Sequence, residues 1–228
     1  MALIPLDLPA GVYRNGTDLQ SQGRWRDSNL VRWFDNTLRP IGGWRTRSDT
    51  ASAGQVRGLH SWIANNSDRW IAAGSYNKLY AYSGAGARYD ITPTGLTAGN
   101  EDALQPVGYG NAFYGLEYYG IARQEVTTIV PATTWAMDSW GEYLVACSSK
   151  DGKVYQWQLN TGTIAAPVAN APVNNRAILV TEERFLMCLG AGGNPRLVQW
   201  SDRENNTVWT PAATNEAGSL ELQTTGRI

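Results

Sequence analysis

The feature that most constrains this chain is a strand–turn–strand pattern that occurs three times. Each copy has an aromatic residue after a charged one, then an apolar strand, a turn rich in small polar residues and a second strand. Such a pattern is typical of a β-hairpin. The copies read RWIAAGSYNKLYAYS, EYLVACSSKDGKVYQWQ and RFLMCLGAGGNPRLVQWS. Aligned on Trp70, Tyr143 and Phe185, they place Tyr82, Trp157 and Trp200 at equivalent ends of the second strand.

Each hairpin is flanked by further strand-like segments, so one repeat holds about four strands. The preceding segments are 56–63, 133–140 and 176–183, and the following ones are 88–93, 161–168 and 206–211. A four-stranded unit that recurs about every 40–45 residues is the signature of a β-propeller blade. The sequence therefore predicts an all-β fold with propeller-like blades of antiparallel strands at about 54–93, 133–170 and 174–213.

The segments outside the three repeats differ from them in composition and pattern. Residues 94–126 form a Gly/Tyr-rich insertion between the first two blades, and 214–228 are predicted to start a further blade. Residues 1–47 contain no repeat and predict an extended N-terminal arm, with turns at Asn15-Gly16 and Gly42-Gly43, before a propeller-like domain at 48–228. Three blades do not close a propeller. We therefore expect this to be part of a longer polypeptide or a propeller completed by something else.

The charge balance argues against several classes of partner. The formal net charge is −1 and the isoelectric point is about 5.9, so sequence-specific nucleic-acid binding is not expected. Six arginines between Arg24 and Arg47 are interleaved with acids, which predicts a solvated or interface-paired stretch. No apolar run approaches a membrane-spanning length, and the N-terminus does not resemble a signal peptide. We expect the chain to be made in the cytoplasm.

Residues that could take part in catalysis or bind a metal are few and scattered along the sequence. Cys147 and Cys188 lie in apolar runs and are predicted to be buried free thiols. The single histidine, His60, is predicted to be a core or rim residue rather than a catalytic base. No metal-ligand spacing is evident, and the closest match to a sialidase Asp-box, around Asp151, has the wrong spacing. The sequence predicts no enzyme activity, catalytic residue, metal site or cofactor.

The recurring aromatic residues have two interpretations. They could stack on carbohydrate, or they could pack one blade against the next. Their recurrence at equivalent positions of the repeat favours packing between blades. The residues concerned are Trp62, Trp70, Tyr80, Tyr82, Trp135, Trp140, Tyr143, Tyr155, Trp157, Trp200 and Trp209.

Three stretches resemble one family of bacteriophage structural proteins. They are GVYRNGTDLQSQGRWRDSNLVRWFDNTLRPIGGWR at 11–45, TTWAMDSWGEYLVAC at 133–147 and YGNAFYGLEYYGIAR within the insertion. They resemble the tail nozzle, or tail tubular protein B, of short-tailed phages. The resemblance implies a virion tail protein with a β-propeller, assembled as a homo-oligomeric ring, usually a hexamer. It further implies contacts with the adaptor and other tail proteins, and passage of phage DNA through the lumen during ejection.

In such a ring, the arm and the insertion are expected to make the subunit contacts, because long arms and inserted loops supply large interfaces. Packing within one chain remains the alternative for both. The arm anchors would be Tyr13, Arg14, Trp25, Trp33, Arg39 and Trp44, and the insertion anchors Tyr109, Phe113, Tyr114, Tyr118 and Tyr119. Two other functions remain open: a receptor-binding tail module that contacts the host surface, and an envelope glycosidase.

Overall fold

The computed structural model describes residues 9–43, 45–46, 48, 50–104 and 129–223. Contacts divide the chain into two compact units, Met1–Arg47 and Ser48–Ile228. We refer to them as the arm unit and the sheet unit.

The arm unit contains one antiparallel hairpin. Strand β1 (Val31–Phe34) pairs with β2 (Thr37–Pro40). The two connecting residues, Asp35 and Asn36, have φ of 52° and 53°. This left-handed backbone at both positions is that of a type I′ turn, which matches the twist of the strands it joins. The sequence interpretation placed turns elsewhere in the arm and did not predict this hairpin.

The sheet unit consists of three four-stranded sheets, each with its strands in chain order and antiparallel. Sheet I contains β3 (Gly58–Ile63), β4 (Arg69–Gly74), β5 (Leu79–Ser83) and β6 (Arg88–Asp90). Sheet II contains β7 (Trp135–Trp140), β8 (Tyr143–Ser148), β9 (Val154–Trp157) and β10 (Ala166–Pro167). Sheet III contains β11 (Ala177–Val180), β12 (Leu186–Leu189), β13 (Leu197–Trp200) and β14 (Gly218–Glu221). The prediction of an all-β fold with four-stranded antiparallel units is confirmed.

Helix is almost absent from the described part of the chain. Its one helical element is the 3-10 turn Ala191–Gly193, between β12 and β13. Accordingly, the described residues include no helix with the length and apolarity needed to span a membrane.

The last strand of sheet III corrects the sequence interpretation. Residues 206–211 were predicted to be the fourth strand, and 214–228 to begin a further blade. Instead β14, at Gly218–Glu221, pairs with β13 and completes sheet III. Residues 206–211 turn inward, because the Trp209 indole is buried and donates to the Asn206 carbonyl at 2.7 Å. Because β14 occupies the edge of β13 opposite β12, residues 206–211 cannot also pair there.

Side chains of sheet II alternate between two neighbours. Along β8, Leu144 and Ala146 belong to the apolar cluster shared with sheet I, whereas Val145 and Cys147 belong to the cluster shared with sheet III. Successive strand residues point to opposite faces, so sheet II is covered on both. This double burial explains why YLVAC is continuously apolar.

The three sheets therefore stack in chain order. We call the face that points to the next sheet along the chain the front face, and the opposite one the back face. The front of sheet I packs on the back of sheet II, and the front of sheet II packs on the back of sheet III. The first strands also lie side by side, with β3 against β7 and β7 against β11.

Most of the recurring aromatics lie between the sheets, as predicted. The exceptions are Tyr80, Tyr82 and Trp200, whose registers place them on the outer faces. The first interface also shows why position 74 is glycine. A Cβ on Gly74 would lie 2.3 Å from Cδ1 of Trp135, whose indole donates to the Ser75 carbonyl at 2.7 Å. The predicted aromatic residues in the two clusters are Trp62, Trp70, Trp135, Tyr155 and Trp157 in the first, and Trp140 and Trp209 in the second, against which the partly buried Tyr143 packs.

Trp200 is not the structural equivalent of Trp157, contrary to the sequence alignment. Trp157 pairs with Leu144, and the corresponding partner of Leu186 is Ser201, whose amide donates to the Leu186 carbonyl at 2.9 Å. Trp200 instead pairs with Met187. A shift of one residue reverses the face of a side chain, so Trp200 lies on the front of sheet III.

Candidate interaction surfaces

The structure brings together four of the predicted arm anchors. Val12 and Trp25 form a parallel bridge, and the Tyr13 amide donates to the Trp25 carbonyl at 2.8 Å. Arg24 lies over the Tyr13 ring, 5.4 Å from its centroid. The neighbouring Arg14 makes an exposed ion pair with Asp27 at 2.6 Å.

Trp25 and Trp33 complete this cluster. Their ring centroids are 6.2 Å apart with the planes tilted by 56°, a separation typical of interacting aromatics. Both indole N–H groups are buried without a hydrogen-bond partner. A buried unpaired donor costs about 1–3 kcal/mol. The arm unit therefore retains hydrogen-bonding capacity that its own described residues do not satisfy.

The other face of the hairpin is basic. Arg39 pairs directly with Arg32 across the two strands, and its guanidinium lies 4.8 Å from the centre of the Phe34 ring. Like charges opposite each other are destabilising in a sheet. Neither arginine has an ion-pair partner in the described arm. Sequence reasoning selected Arg39 but missed Arg32 and Phe34, which the alternation around Asp35-Asn36 could have revealed.

Burial in the arm unit is very low. Ser21 is the one buried residue among its described positions. Large apolar side chains are exposed, including Leu19 at 83% and Leu30 at 70%. The predicted anchor Trp44 lies outside the described residues. A segment with so little core derives little stability from apolar burial of its own.

The insertion between the first two sheets leaves the sheet unit at a defined point. Leu104 and Val130 form an antiparallel bridge with both hydrogen bonds, at 2.8 and 3.0 Å. We call this bridge the neck. The five predicted insertion anchors, Tyr109, Phe113, Tyr114, Tyr118 and Tyr119, lie outside the described residues.

The residues before the neck belong to the sheet unit rather than to a free loop. The Gly99 amide donates to the Tyr76 carbonyl at 2.7 Å, and the Thr133 amide to the Asn100 carbonyl at 3.0 Å. Arg57 donates to the Glu101 carbonyl and to the Asp102 carboxylate, at 2.8 and 2.9 Å. These contacts fix the position of the neck, which the sequence boundary at 94 did not indicate.

Among the carboxylates of the described residues, Asp151 is the most buried, and its contacts are those of a structural residue. Its side chain is 1% exposed and accepts hydrogen bonds from the Tyr155 hydroxyl and the Thr97 amide, with Lys153 3.6 Å away. Burial works to raise the pKa of Asp151, but these hydrogen bonds and Lys153 hold it below its ordinary value. Burial, reinforced by Asp151, raises the pKa of Tyr155. Asp151 therefore remains an acceptor that ties the root of the insertion to sheet II.

His60 also joins two sheets. Its Nε2 lies 2.8 Å from the Ser139 hydroxyl on the back of sheet II, and its ring stacks on Trp62. Partial burial lowers the pKa of His60, although Asp138 opposes the shift. The neutral ring is thus favoured where sheet I meets sheet II, as the prediction of a core or rim histidine requires.

Acidification from about pH 7.5 to about pH 5 is expected to destabilise the wild-type protein more than a His60→Gln variant. The folded-state pKa of His60 lies below 6.5. The contribution of neutral His60 to the free energy of unfolding is therefore fully present above pH 6.5 and is lost as the pH falls through the folded-state pKa. His60 is the sole histidine, and glutamine retains a partner for Ser139. Urea unfolding midpoints at both pH values measure the effect; identical acid shifts in the two proteins would contradict it.

Both thiols are buried and unpaired, as predicted. Burial raises the pKa of Cys147 to about 12 and also raises that of Cys188. A thiol is nucleophilic as the thiolate, so both groups act here as small apolar side chains. Within the described ranges, no group of three or more potential metal ligands occurs.

Together these features define a class: an all-β protein of stacked four-stranded sheets, whose notable surfaces are aromatic, basic or apolar. Comparisons with protein-family models, curated proteins and solved structures give no match to the chain.

Proposed function

We propose that this chain is a structural virion protein, a ring subunit of the tail nozzle of a short-tailed phage that forms part of the conduit for DNA ejection. The observation that carries the proposal is the arm unit, whose large apolar side chains are exposed and not covered by the described residues. Subunits of an assembly use such arms to bind their neighbours. The resemblance of residues 11–45 to nozzle proteins supports the same assignment.

We also propose that the three sheets are propeller blades. In a propeller, the sheets are arranged radially around a central channel. The stacking of sheets I, II and III, with β3, β7 and β11 adjacent, supports that arrangement. Propellers typically have four to eight blades, so closure requires sheets beyond these three.

The charge of the chain agrees with a conduit. DNA that passes through a lumen must not be held by its phosphates, and a net charge of −1 limits that attraction. The basic face formed by Arg32 and Arg39 is then expected to meet an acidic neighbour, such as another subunit or the adaptor, rather than DNA.

Electron cryomicroscopy of intact virions tests the proposed function. We expect the three sheets in a ring at the distal end of the tail, with the arm unit against a neighbouring subunit. Density on a peripheral fibre or spike would overturn the conduit assignment and favour the receptor-binding module.

A loop replacement tests the role of the insertion. Replacing residues 105–129 with Asn-Gly would join Leu104 and Val130 by a two-residue hairpin turn, which suits their antiparallel pairing. We expect a folded protein, with a thermal midpoint within about 4 °C of wild type, that fails to enter tails. The measurement is incorporation into virions in a complementation assay.

The matched control retains the length of the loop and changes only its anchors to serine. It is also expected to fold and to be excluded from tails. Normal incorporation of both variants would show that the insertion makes no essential subunit contact. The five positions are Tyr109, Phe113, Tyr114, Tyr118 and Tyr119.

A further inference from the structure

The front face of sheet III is an apolar sheet surface that the described part of the chain leaves uncovered. Leu179 is 36% exposed and Leu220 is 58% exposed. Between them lie the half-buried Met187 and Trp200, as the register of the four strands shows. Contiguous exposed apolar surface of this kind marks an interaction site.

On the other two sheets, core positions of the same face are completely covered, although His60 and Asp138, which correspond to Leu179, are half-buried. Val145 on the front of sheet II, which corresponds to Met187, is 0% exposed because sheet III covers it. On the front of sheet I, Ala72 and Leu79 are 0% exposed beneath sheet II. Each front face in this chain that has a following sheet is therefore buried by the back face of that sheet.

The back face of sheet I has the complementary property. Leu59 on β3 is 71% exposed and Ile63 is 61% exposed. The residue that corresponds to Leu59 on β11 is Ile178, which is 6% exposed where sheet II covers it. Farther across this face, Tyr80 on β5 is 3% exposed and its hydroxyl accepts from the Ala53 amide of the same chain, so the open part of the back face lies along β3. The open parts of the two ends thus correspond to the two sides of an interface that already occurs twice within the chain.

Polar contacts show that this interface has a fixed register. His60 on the front of β3 contacts Ser139 on the back of β7 at 2.8 Å. One sheet further, Asp138 occupies the position of His60 and accepts from the Val180 amide at 2.7 Å. On the two open ends, the equivalent residues are Leu179 on the front of β11 and Ser61 on the back of β3.

We propose that the front face of sheet III binds the back face of sheet I of a second copy of this chain. The contact continues the stack from one copy to the next, with β11 of one copy beside β3 of the other. Because two different surfaces meet, the association is heterologous and forms closed rings or open chains. The proposal depends on the two end faces and not on a role in a phage tail.

The test uses the full chain with one end altered at a time. The front variant carries Leu179→Asp and Leu220→Asp, and the back variant carries Leu59→Asp and Ile63→Asp. All four residues are exposed, so the folded state is expected to tolerate the changes. Thermal unfolding checks this. Ile164→Asp, at a residue 46% exposed outside both faces, is the matched control.

Sedimentation velocity measures the association. We expect concentration-dependent oligomers for the wild type and the Ile164 control, and at least ~30-fold weaker self-association for each end variant. Mixing the two end variants should restore one intact contact per pair and give a 1:1 dimer that grows no further.

Three results would overturn the proposal. A monomeric wild type at high concentration would show that no second copy binds these faces. Unchanged oligomers of either end variant would place the contact elsewhere. Monomers in the mixture, with both variants folded, would show that the front face does not meet the back face. Failure of the nozzle assignment would appear instead in virions and would leave these results unaffected.

Discussion

Replacing Asp151 with alanine is expected to lower the free energy of unfolding by about 3–5 kcal/mol at neutral pH. The carboxylate is 1% exposed, and its removal leaves the Tyr155 hydroxyl and the Thr97 amide without their acceptor. Lys153 also loses its partner, but this side chain is 43% exposed and contributes little. Urea denaturation followed by tryptophan fluorescence measures the loss.

Two controls separate the parts of this effect. Tyr155→Phe removes one hydrogen bond and leaves Thr97 paired, so a smaller loss of about 1–2 kcal/mol is expected. Asp151→Asn retains an acceptor but removes the charge. A loss for Asp151→Ala no larger than that for Tyr155→Phe would contradict the linking role of the carboxylate.

The same residue predicts acid sensitivity. The folded-state pKa of Asp151 lies below the unfolded value of 3.8. Its contribution is therefore fully present above that pH and is lost as the pH falls through the folded-state pKa. The Asp151→Asn variant should show a correspondingly shallower decline of stability in this acidic range.

Replacing Trp157 with alanine is expected to cost about 3–5 kcal/mol. The side chain is 1% exposed and meets Trp70 edge-on, with ring centroids 5.2 Å apart. Its indole nitrogen donates to the carbonyls of Asn160 and Thr163, both at 3.1 Å. The substitution leaves a cavity between sheets I and II and removes the indole donor from the Thr163 carbonyl, whereas the Asn160 carbonyl still accepts from the Thr163 amide and hydroxyl.

Trp200→Ala is the matched control, because it removes the same side chain from the equivalent strand. Trp200 lies on the uncovered front face of sheet III, so a loss of about 1 kcal/mol is expected for the monomer. Chemical denaturation at a protein concentration below that of any self-association compares the two. Equal losses would mean that the two tryptophans are equivalent, as the sequence alignment implied.

Local pattern was sufficient to predict most of the fold. The three hairpins and the strands that precede them were predicted because alternating and continuous apolar runs directly reflect which faces are buried. The fourth strand of sheet III was not, because 206–211 and 218–221 are both short segments that could pair. The burial of Trp209, a tertiary effect, decides between them.

The face of Trp200 was missed for a related reason. The connection between β12 and β13 contains a 3-10 turn. The sequence alignment matched the aromatic residue at the end of each second strand, and this match does not show how many residues the turn contains. An error of one residue reverses the side chain. The hairpin of the arm unit was missed because Asp-Asn is a weaker turn signal than Asn-Gly.

The interaction surfaces were less predictable than the fold. The sequence selected Tyr13, Arg14, Trp25 and Trp33 by residue type, and the structure places them together. It gave no indication of the neck, because the pairing of Leu104 with Val130 joins positions on either side of a long segment. The exposed front face of sheet III and the exposed part of the back face of sheet I could not be predicted either, because their exposure depends on which sheets have a neighbour in the fold.

The neck has a consequence for how this protein can vary. Its two bridged residues, Leu104 and Val130, hold the ends of the intervening segment side by side, so we expect the sheets to tolerate different connections between them. Each doubling of such a connection adds only about 0.6 kcal/mol of loop-closure entropy. We therefore expect that a peptide epitope or a whole small domain can be inserted at this position while the stacked sheets remain intact.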